Sequence, residues 1–350
     1  MKPIRVMIVE DSTVVRTLLA HIISDDPRLE VAAAVGSAEE ALAILDRVAP
    51  DVVSLDIRLP GMSGIDATLE IMAHRPTPIV VVAADIHAPD LNIAMQALRA
   101  GALTVVEKPV GLGNRAYGTI AKRLCDQLVL MSRVKVVHQI RGRRLTAEPI
   151  VHQPCPDDGC EVVAIAASTG GPQAVVQILD GLGKDFSRPI LLVQHMLGGF
   201  LEAFTQWLNE VTPLRVQMGA NGDKLVPGVV YVAPADVHLT LVEDYIRLES
   251  SPPWGAHRPS ADLMFRSVAH SKGPHALGVQ LTGMGDDGSR GLLELRQAGG
   301  WTIAEDESTA VVFGMPQAAC RLGAAREVLP LPDIAPRIRQ LTVGEGRKRK

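Results

Sequence analysis

The stretch Glu161-Val-Val-Ala-Ile-Ala-Ala-Ser168-Thr-Gly-Gly-Pro172 passes from an apolar run into a glycine-rich turn. The apolar run predicts a buried strand, and the amphipathic residues after Pro172 predict a helix. The two glycines permit a sharp turn, and proline suits the first helical turn because its missing N–H would have no partner there. Ser168 is therefore expected between a strand and a helix. A nucleophile could be placed there, but helix N–H groups at such a turn could equally bind a phosphate.

Two later strand ends favour the nucleophile. Residues 189–196 predict a buried strand that carries His195 at its C-terminal end, and residues 276–282 predict another. The second is followed by Gly283-Met-Gly-Asp-Asp-Gly288, which places Asp287 on a glycine loop before a predicted helix. Ligands of open α/β sheets bind outside the carboxyl ends of the strands, so a serine, a histidine and an aspartate can converge there.

Each of these residues also has an ordinary structural explanation. A single histidine at a strand end is more often a structural hydrogen-bonding group, and aspartate beside glycine is common in turns. Together, however, a nucleophile, a base that titrates near neutral pH and an orienting carboxylate match a Ser-His-Asp triad. No Gly-x-Ser-x-Gly surrounds Ser168, and the acid follows the histidine in the chain. A serine hydrolase without the α/β-hydrolase fold is therefore predicted.

The first part of the chain indicates a different chemistry. Strands are predicted for residues 5–9, 52–55, 79–82 and 103–106. The first strand ends in Glu10 and Asp11 and the second ends in Asp56, and three carboxylates gathered at strand ends suit a hard cation such as Mg²⁺. A metal-neutralised carboxylate can accept a phosphoryl group, and Lys108, after the last strand, could pair with it. Acidic loops after strands are common, so a purely structural role stays open.

Two sets of motifs carry a resemblance to known families. The first resembles a response-regulator receiver domain and comprises Val9-Glu-Asp-Ser12, Leu55-Asp-Ile-Arg-Leu-Pro-Gly-Met-Ser-Gly64 and Glu107-Lys-Pro109. The second resembles the CheB family of chemotaxis receptor protein-glutamate methylesterases and comprises Ala167-Ser-Thr-Gly-Gly-Pro172, Val193-Gln-His-Met196, Tyr231-Val-Ala-Pro-Ala-Asp236, His257-Arg-Pro-Ser-Ala-Asp262, Leu281-Thr-Gly-Met-Gly-Asp-Asp-Gly288 and Val312-Phe-Gly-Met-Pro316. The resemblance implies an α/β protein: a flavodoxin-like receiver with a five-stranded parallel sheet, then a doubly wound, mostly parallel α/β catalytic domain.

The resemblance also implies roles for the candidate catalytic residues. Ser168 would attack the methyl ester of a receptor glutamate, His195 would take its proton, and Asp287 would hold the imidazole. The backbone N–H groups of Thr169 and Met284 would stabilise the oxyanion. The same steps on glutamine release ammonia, so deamidation is the expected companion activity, and the hydrolase step needs no cofactor. The neighbouring Asp286 is expected to be an exposed loop carboxylate.

For the receiver, the resemblance implies phosphorylation at Asp56 by a histidine kinase phosphodonor. Glu10, Asp11 and Asp56 would hold Mg²⁺, and Lys108 would pair with the phosphoryl group. The family's methyl-accepting chemoreceptors are the expected partners of the esterase.

Two positions depart from the receiver pattern. Ala83 replaces the usual Ser or Thr, and Val105 replaces the usual switch aromatic. We therefore expect phosphorylation to activate the esterase less than in a standard family member.

Composition is consistent with this interpretation. The 350 residues exceed the usual size of a single core, and 47% hydrophobic content can fill two α/β cores. Lys plus Arg of 35 against Asp plus Glu of 39 gives a net charge of −4, which disfavours a nucleic-acid partner. We find no signal peptide and no apolar run long enough to span a bilayer, so we expect no membrane insertion and a cytoplasmic location.

The predicted domain boundaries follow from composition. We expect a receiver at 1–130, a basic and proline-rich linker at 131–160, a catalytic domain at 161–344 and a basic tail at 345–350. Cys155 and Cys160 flank Pro-Asp-Asp-Gly in this linker, but their spacing is a poor zinc signature. Two alternatives to the methylesterase remain: a receiver-controlled serine hydrolase of another signalling pathway, and a non-enzymatic signalling adaptor.

Overall fold

A computed structural model describes residues 2–83, 95–98, 100–109, 117–134, 159–196, 198–255 and 257–343. Contacts between residues divide the chain into two compact units, residues 1–146 and residues 147–350. The predicted linker and basic tail fall almost wholly outside the described residues, and the four domain boundaries stay predictions. Cys155 also lies outside them. Cys160 is buried, and its backbone N–H donates to the carbonyl of Leu341 at 2.8 Å.

The first unit alternates strands and helices. Its elements are β1 (Ile4–Val9), α1 (Thr13–Ser24), β2 (Leu29–Val35), α2 (Ala38–Val48), β3 (Val52–Asp56), α3 (Gly64–His74), β4 (Ile79–Ala83), β5 (Thr104–Glu107) and α4 (Tyr117–Met131). The five strands form one sheet in the order β2-β1-β3-β4-β5, and all their pairings are parallel. The predicted five-stranded parallel sheet is confirmed.

Serine residues begin three helices of this unit. Ser12, Ser37 and Ser63 precede α1, α2 and α3, and each hydroxyl accepts a backbone N–H of the first helical turn. An N-cap of this kind satisfies one of the N–H groups that the helix itself leaves unpaired. Each helix therefore starts directly after a strand-end loop, which leaves the carboxyl ends of β1 and β3 open for the acidic side chains.

The second unit is a larger α/β layer structure. Its elements are β6 (Val162–Ala167), α5 (Gly171–Leu182), β7 (Ile190–Gln194), α6 (Gly198–Val211), β8 (Arg215–Met218), β9 (Val229–Val232), β10 (His238–Val242), β11 (Tyr245–Glu249), α7 (Ala261–Lys272), β12 (Ala276–Gln280), α8 (Ser289–Gln297), β13 (Trp301–Glu305), α9 (Met315–Arg321), β14 (Glu327–Leu329) and α10 (Leu331–Thr342). A seven-stranded sheet has the order β14-β13-β12-β6-β7-β9-β8.

Every strand pairing in this sheet is parallel, whereas β10 and β11 form a separate antiparallel hairpin. The strands β6, β7 and β12 are buried along their whole length, as expected for a sheet covered on both faces. Helix α5 packs against α10, and α7 packs against α8. The doubly wound α/β class is confirmed, and the parallel arrangement brings the ends of β6, β7 and β12 to one edge.

Candidate functional site

Ser168 occupies the turn between β6 and α5. Its backbone N–H donates to the carbonyl of Thr282 at 3.0 Å, and its carbonyl accepts the N–H of Gly171 at 2.8 Å. Gly170 precedes the helix with φ +78, and a Cβ there would lie 2.5 Å from the Cβ of Val311. Only glycine fits this conformation and this space. The turn therefore fixes the backbone of a half-buried serine tightly.

His195 directly follows the neighbouring strand, β7. Its N–H donates to the carbonyl of Ala167 at 2.9 Å, so it extends the pairing of β6 with β7 by one residue. The side chain of Gln194 donates to the carbonyl of Ser168 at 2.8 Å and to that of His195 at 3.1 Å. This amide therefore links the serine turn to the histidine backbone.

Asp287 lies on the loop after β12 and contacts the imidazole. Its Oδ2 atom is 2.8 Å from Nε2 of His195, although the approach lacks the straight N–H···O line of an ideal hydrogen bond. The Nδ1 atom of His195 is buried and has no hydrogen-bond partner among the described residues. Nδ1 is therefore the ring nitrogen left to exchange a proton.

The N-terminus of α7 holds the carboxylate of Asp287. Oδ1 accepts the hydroxyl of Ser260 at 2.8 Å and the N–H of Asp262 at 3.1 Å, and Oδ2 accepts the N–H of Ala261 at 2.7 Å. Burial alone would raise the pKa of Asp287, but the contact with His195 and these donors outweigh it and lower the pKa. The group is thus kept ionised at neutral pH.

A second imidazole lies against the first. The rings of His195 and His257 are stacked, with centroids 4.2 Å apart and planes 12° from parallel. Burial, and then the charge of His195, lower the pKa of His257, so this ring is neutral at pH 7.

The two imidazoles and Asp287 place donor atoms within 4.8 Å of one another. A metal ion binds imidazole at about 2.0–2.1 Å, along the nitrogen lone pair in the ring plane. Two parallel stacked rings cannot both direct a lone pair at one ion, so this arrangement does not fit a shared metal.

The candidate oxyanion donors lie on the loops after β6 and β12. The N–H groups of Thr169 and Met284 have no acceptor among the described residues, and the side chain of Met284 is 50% exposed. Gly283 lies so close to the serine turn that a Cβ would be 2.7 Å from the Cβ of Ser168. The two loops are therefore adjacent. Asp286 is exposed, as expected.

The predicted acidic cluster is present at the carboxyl ends of β1 and β3. Glu10, Asp11 and Asp56 place carboxylate oxygens within 4.8 Å of one another. Lys108, after β5, has its Nζ 2.8 Å from Oε2 of Glu10 and 2.7 Å from Oδ2 of Asp56. Its backbone N–H donates to the carbonyl of Ala83 at 2.8 Å.

Electrostatics in this cluster favour an added cation. Burial raises the pKa of Glu10, and the nearby charge of Asp56 adds to this, although Lys108 opposes it. Burial alone would lower the pKa of Lys108, but its bonds to Asp56 and Glu10 outweigh this and raise the pKa. One ammonium thus faces three carboxylates, counting the exposed Asp11, and a set of hard oxygen donors fits Mg²⁺.

The two departures from the receiver pattern lie on adjacent strands. Ala83 is the last residue of β4 and is 4% exposed, and Val105 lies within β5. Ala83 pairs with Glu107 in the parallel register. No hydroxyl is therefore available from residue 83 at the strand end beside Asp56.

Three residues that contribute to the site were not predicted from the sequence. Ser260 and His257 lie in the motif His257-Arg-Pro-Ser-Ala-Asp262, which carries part of the resemblance but gives neither residue a role. Glu305 ends β13 and accepts the N–H of Thr282 at 2.8 Å. Serine before an apolar run was a usable N-cap signal, but neither a stacking histidine nor a buried glutamate has a local signature.

Within the described residues, no helix combines the length and apolar character needed to cross a membrane.

Comparisons with known proteins agree along nearly the whole chain. The family profile of CheB methylesterase matches residues 163–338, and that of the response regulator receiver domain matches residues 6–114. A protein-glutamate methylesterase/protein-glutamine glutaminase 2 from Paramagnetospirillum magneticum is 55% identical over 98% of this chain and 99% of its own length. A protein-glutamate methylesterase/protein-glutamine glutaminase 4 from Myxococcus xanthus is 42% identical over 98% of each chain.

Two solved structures from Thermotoga maritima are also similar. The CheB methylesterase catalytic domain is 36% identical, with a TM-score of 0.49, and covers 51% of this chain and 97% of its own. The response regulator domain of CheB is 30% identical, with a TM-score of 0.34, and covers 38% of this chain and 99% of its own.

Proposed function

The chain belongs to the CheB methylesterase family, and on that premise we propose that it hydrolyses glutamate methyl esters of chemoreceptors and deamidates receptor glutamines. Ser168, His195 and Asp287 carry the reaction. The observation that supports these roles best is the 2.8 Å contact between Nε2 of His195 and the ionised Asp287, which leaves Nδ1 unpaired. An imidazole held in this way accepts a proton at one nitrogen while its other nitrogen stays protonated.

In the acylation step, Oγ of Ser168 attacks the ester carbonyl carbon while Nδ1 of His195 takes the hydroxyl proton. The carbonyl oxygen becomes an oxyanion, which the N–H groups of Thr169 and Met284 stabilise. The tetrahedral intermediate collapses when His195 returns the proton to the methoxy oxygen. Methanol leaves, and the glutamyl group stays bound to Ser168 as an ester.

In the deacylation step, water attacks the acyl-enzyme, and His195 again takes a proton and then returns it to Ser168. The product is a free glutamate side chain. A glutamine side chain follows the same steps, except that the protonated leaving group is ammonia. One set of residues thus accounts for both activities.

In the receiver, we propose that Asp56 accepts a phosphoryl group from a histidine kinase. Glu10, Asp11 and Asp56 would hold Mg²⁺, which would supply positive charge to the transferring phosphoryl oxygens. Lys108 already pairs with Asp56 at 2.7 Å, and its ammonium would move to the new phosphoryl oxygens. Phosphorylation then regulates the hydrolase.

The test is release of labelled methanol from methylated chemoreceptors by the full chain. Ser168→Ala abolishes the release in this proposal, whereas Ser308→Ala, which removes an exposed hydroxyl, leaves it unchanged. Hydrolysis of other esters without methanol release would instead indicate a hydrolase of another pathway. No hydrolysis of any ester, by the wild type or by Ser168→Ala, would leave only the adaptor, and equal measurable rates would refute Ser168 as the nucleophile.

A further inference from the structure

A buried carboxyl group lies behind the candidate oxyanion loop. Glu305 ends β13, is 0% exposed and has no part in the mechanism above. Its Oε2 accepts the N–H of Thr282 at 2.8 Å, and its Oε1 accepts the hydroxyl of Thr309 at 3.1 Å. No cation of the described residues pairs with it. Burial of a carboxylate without a cation is costly, which indicates that Glu305 has a role in the site.

Thr282 links Glu305 to the reacting groups. The carbonyl of Thr282 accepts the N–H of Ser168 at 3.0 Å, and its hydroxyl donates to the carbonyl of Thr169 at 2.9 Å. The same hydroxyl accepts the N–H of Val312 at 2.9 Å. Thr282 is also followed directly by Gly283 and Met284 in the chain. One threonine therefore contacts both loops that carry the candidate oxyanion donors.

We propose that Glu305 is a positioning residue for the hydrolytic reaction, which holds the two oxyanion loops together through Thr282 and modulates oxyanion stabilisation by its own charge. The inference rests on the proposed function of this site. A neutral Glu305 accepts the Thr282 N–H without adding charge. An ionised Glu305 keeps the same bond but places a negative charge behind donors that must stabilise an oxyanion, so it opposes the reaction.

Glu305 can change its charge near neutral pH. Burial raises the pKa of Glu305 to about 7, against the opposing effect of the Thr282 N–H and the Thr309 hydroxyl, and Asp306 adds to the rise. Charged groups also lie on the same loop, after β12 and on the elements packed against β13: Glu307; Asp286 and Asp287; Glu327 on β14; Arg290, Glu294 and Arg296 on α8; Arg321 on α9; and Asp333, Arg337 and Arg339 on α10.

Thr309 accommodates both charge states of Glu305. Its hydroxyl is 3.1 Å from Oε1 of Glu305 and 3.4 Å from the carbonyl of Asp306, so it donates to an ionised Glu305 or to that carbonyl. A protonated Glu305 can then donate to the hydroxyl oxygen. Neither state breaks the bond to Thr282, so the change on ionisation is electrostatic.

The experiment measures kcat and KM for methanol release by the full chain between about pH 6 and pH 8.5, for the wild type, Glu305→Gln and Glu307→Gln. Glutamine keeps the shape of Glu305 and stays neutral, and Glu307→Gln removes a carboxylate from an exposed position of the same loop. As the pH rises from about 6 to about 8.5, we expect the ratio of the wild-type kcat to the Glu305→Gln kcat to fall roughly three- to tenfold. The ratio of the two KM values should stay constant. Glu307→Gln should parallel the wild type.

A second variant tests the bonds that the Thr282 hydroxyl makes to the loop after β6 and to Val312. Thr282→Val keeps the side-chain shape but removes the hydroxyl between Thr169 and Val312, and should lower kcat at every pH with little change in KM. A constant wild-type to Glu305→Gln ratio, or a change in KM instead of kcat, would overturn the inference. The proposed function would survive that outcome as long as Ser168→Ala is inactive, so the two failures are distinguishable.

Discussion

The Nε2 atom of His195 lies 2.8 Å from Oδ2 of Asp287, whereas Nδ1 has no hydrogen-bond partner among the described residues. In the proposed mechanism, Nε2 carries its proton toward the carboxylate and Nδ1 serves as the base. We expect Asp287→Asn to lower kcat by about 10⁴, because an amide can stabilise the opposite tautomer. Nitrogen NMR of His195 in the Ser168→Ala variant at pH 8 should show the proton on Nε2. A proton on Nδ1 would contradict this assignment.

Ser260→Ala should lower the free energy of unfolding and should also lower the rate of methanol release at acidic pH. The hydroxyl caps α7 by accepting the N–H of Leu263 and donates to Asp287 at 2.8 Å. Loss of a cap costs about 1 kcal/mol of unfolding free energy. The pKa of Asp287 is lowered in the folded state, so its stabilising effect is present above the unfolded pKa and lost as pH falls through the folded pKa.

In Ser260→Ala this folded pKa rises, so less stability is lost on acidification. Urea denaturation at several pH values below 5 should therefore give a flatter dependence than in the wild type. Ser63→Ala is the matched control, because Ser63 caps α3 in the other unit. It should lower stability without changing the pH dependence of methanol release. A Ser260→Ala enzyme with a wild-type acid profile would argue against the hydroxyl as a support of Asp287.

His257→Phe should keep a ring stacked on His195 and keep the activity, whereas His257→Ala should lose the stack and part of the activity. Phenylalanine can keep a ring stacked on His195, whereas alanine removes the stack. Loss of such an aromatic pair costs about 0.5–1.5 kcal/mol, so we expect kcat of His257→Ala to fall roughly three- to tenfold. The pKa of His257 is lowered by burial, so folding favours the neutral ring, and stability falls as pH drops below the unfolded pKa. Denaturation at about pH 5 and pH 8 should show a smaller difference for the phenylalanine variant. Equal activity of both variants would deny the stack a role.

Gly283→Ala should displace the nucleophile. A Cβ at this position would lie 2.7 Å from the Cβ of Ser168, a separation that real Cβ atoms essentially never show. Since small misplacements of reacting groups can cost about 10²-fold, we expect a loss of kcat of that order. Gly118→Ala, with nothing within 4 Å of the new Cβ, is the control and should be fully active. Thermal melting of both variants separates displacement from unfolding.

Ala83→Thr should restore a stronger response to phosphorylation. Residue 83 ends β4, and a threonine hydroxyl there could bond a phosphoryl group on Asp56. We expect a small phosphodonor with Mg²⁺ to stimulate methanol release weakly in the wild type and severalfold more in the variant. Asp56→Asn, or chelation of Mg²⁺ by EDTA, should remove the stimulation in both. Strong stimulation of the wild type would show that the departures at Ala83 and Val105 do not matter.

Most of the fold could be predicted because it is encoded locally. The apolar runs ending before Ser168 and at His195 are observed as β6 and β7, with bounds within one or two residues of those predicted. Asp56 is the last residue of β3, which agrees with the predicted strand that ends in Asp56. The pattern of a parallel sheet thus identified both the strands and the edge where their ends meet.

The supports of the site could not be predicted in the same way. Glu305 reads as the polar end of a strand, and only the pairing of β12 with β13 brings it to Thr282. Ser260 had a local capping signal, but its bond to Asp287 spans 27 residues. The stack of His257 on His195 spans still more of the chain. Such contacts depend on tertiary packing and cannot be predicted from the local pattern of apolar and polar residues.

The strand order has a consequence for synthesis of the protein. β12 lies between β6 and β13 in the sheet. It therefore pairs with the strand that precedes Ser168, although more than 100 residues separate β6 from β12 in the chain. A ribosome-bound chain that has not yet exported β12 carries Ser168 and His195 but lacks Asp287. It also exposes an unpaired edge of β6. We therefore expect a chain that ends before β12 to be inactive and, because of this open edge, prone to aggregation.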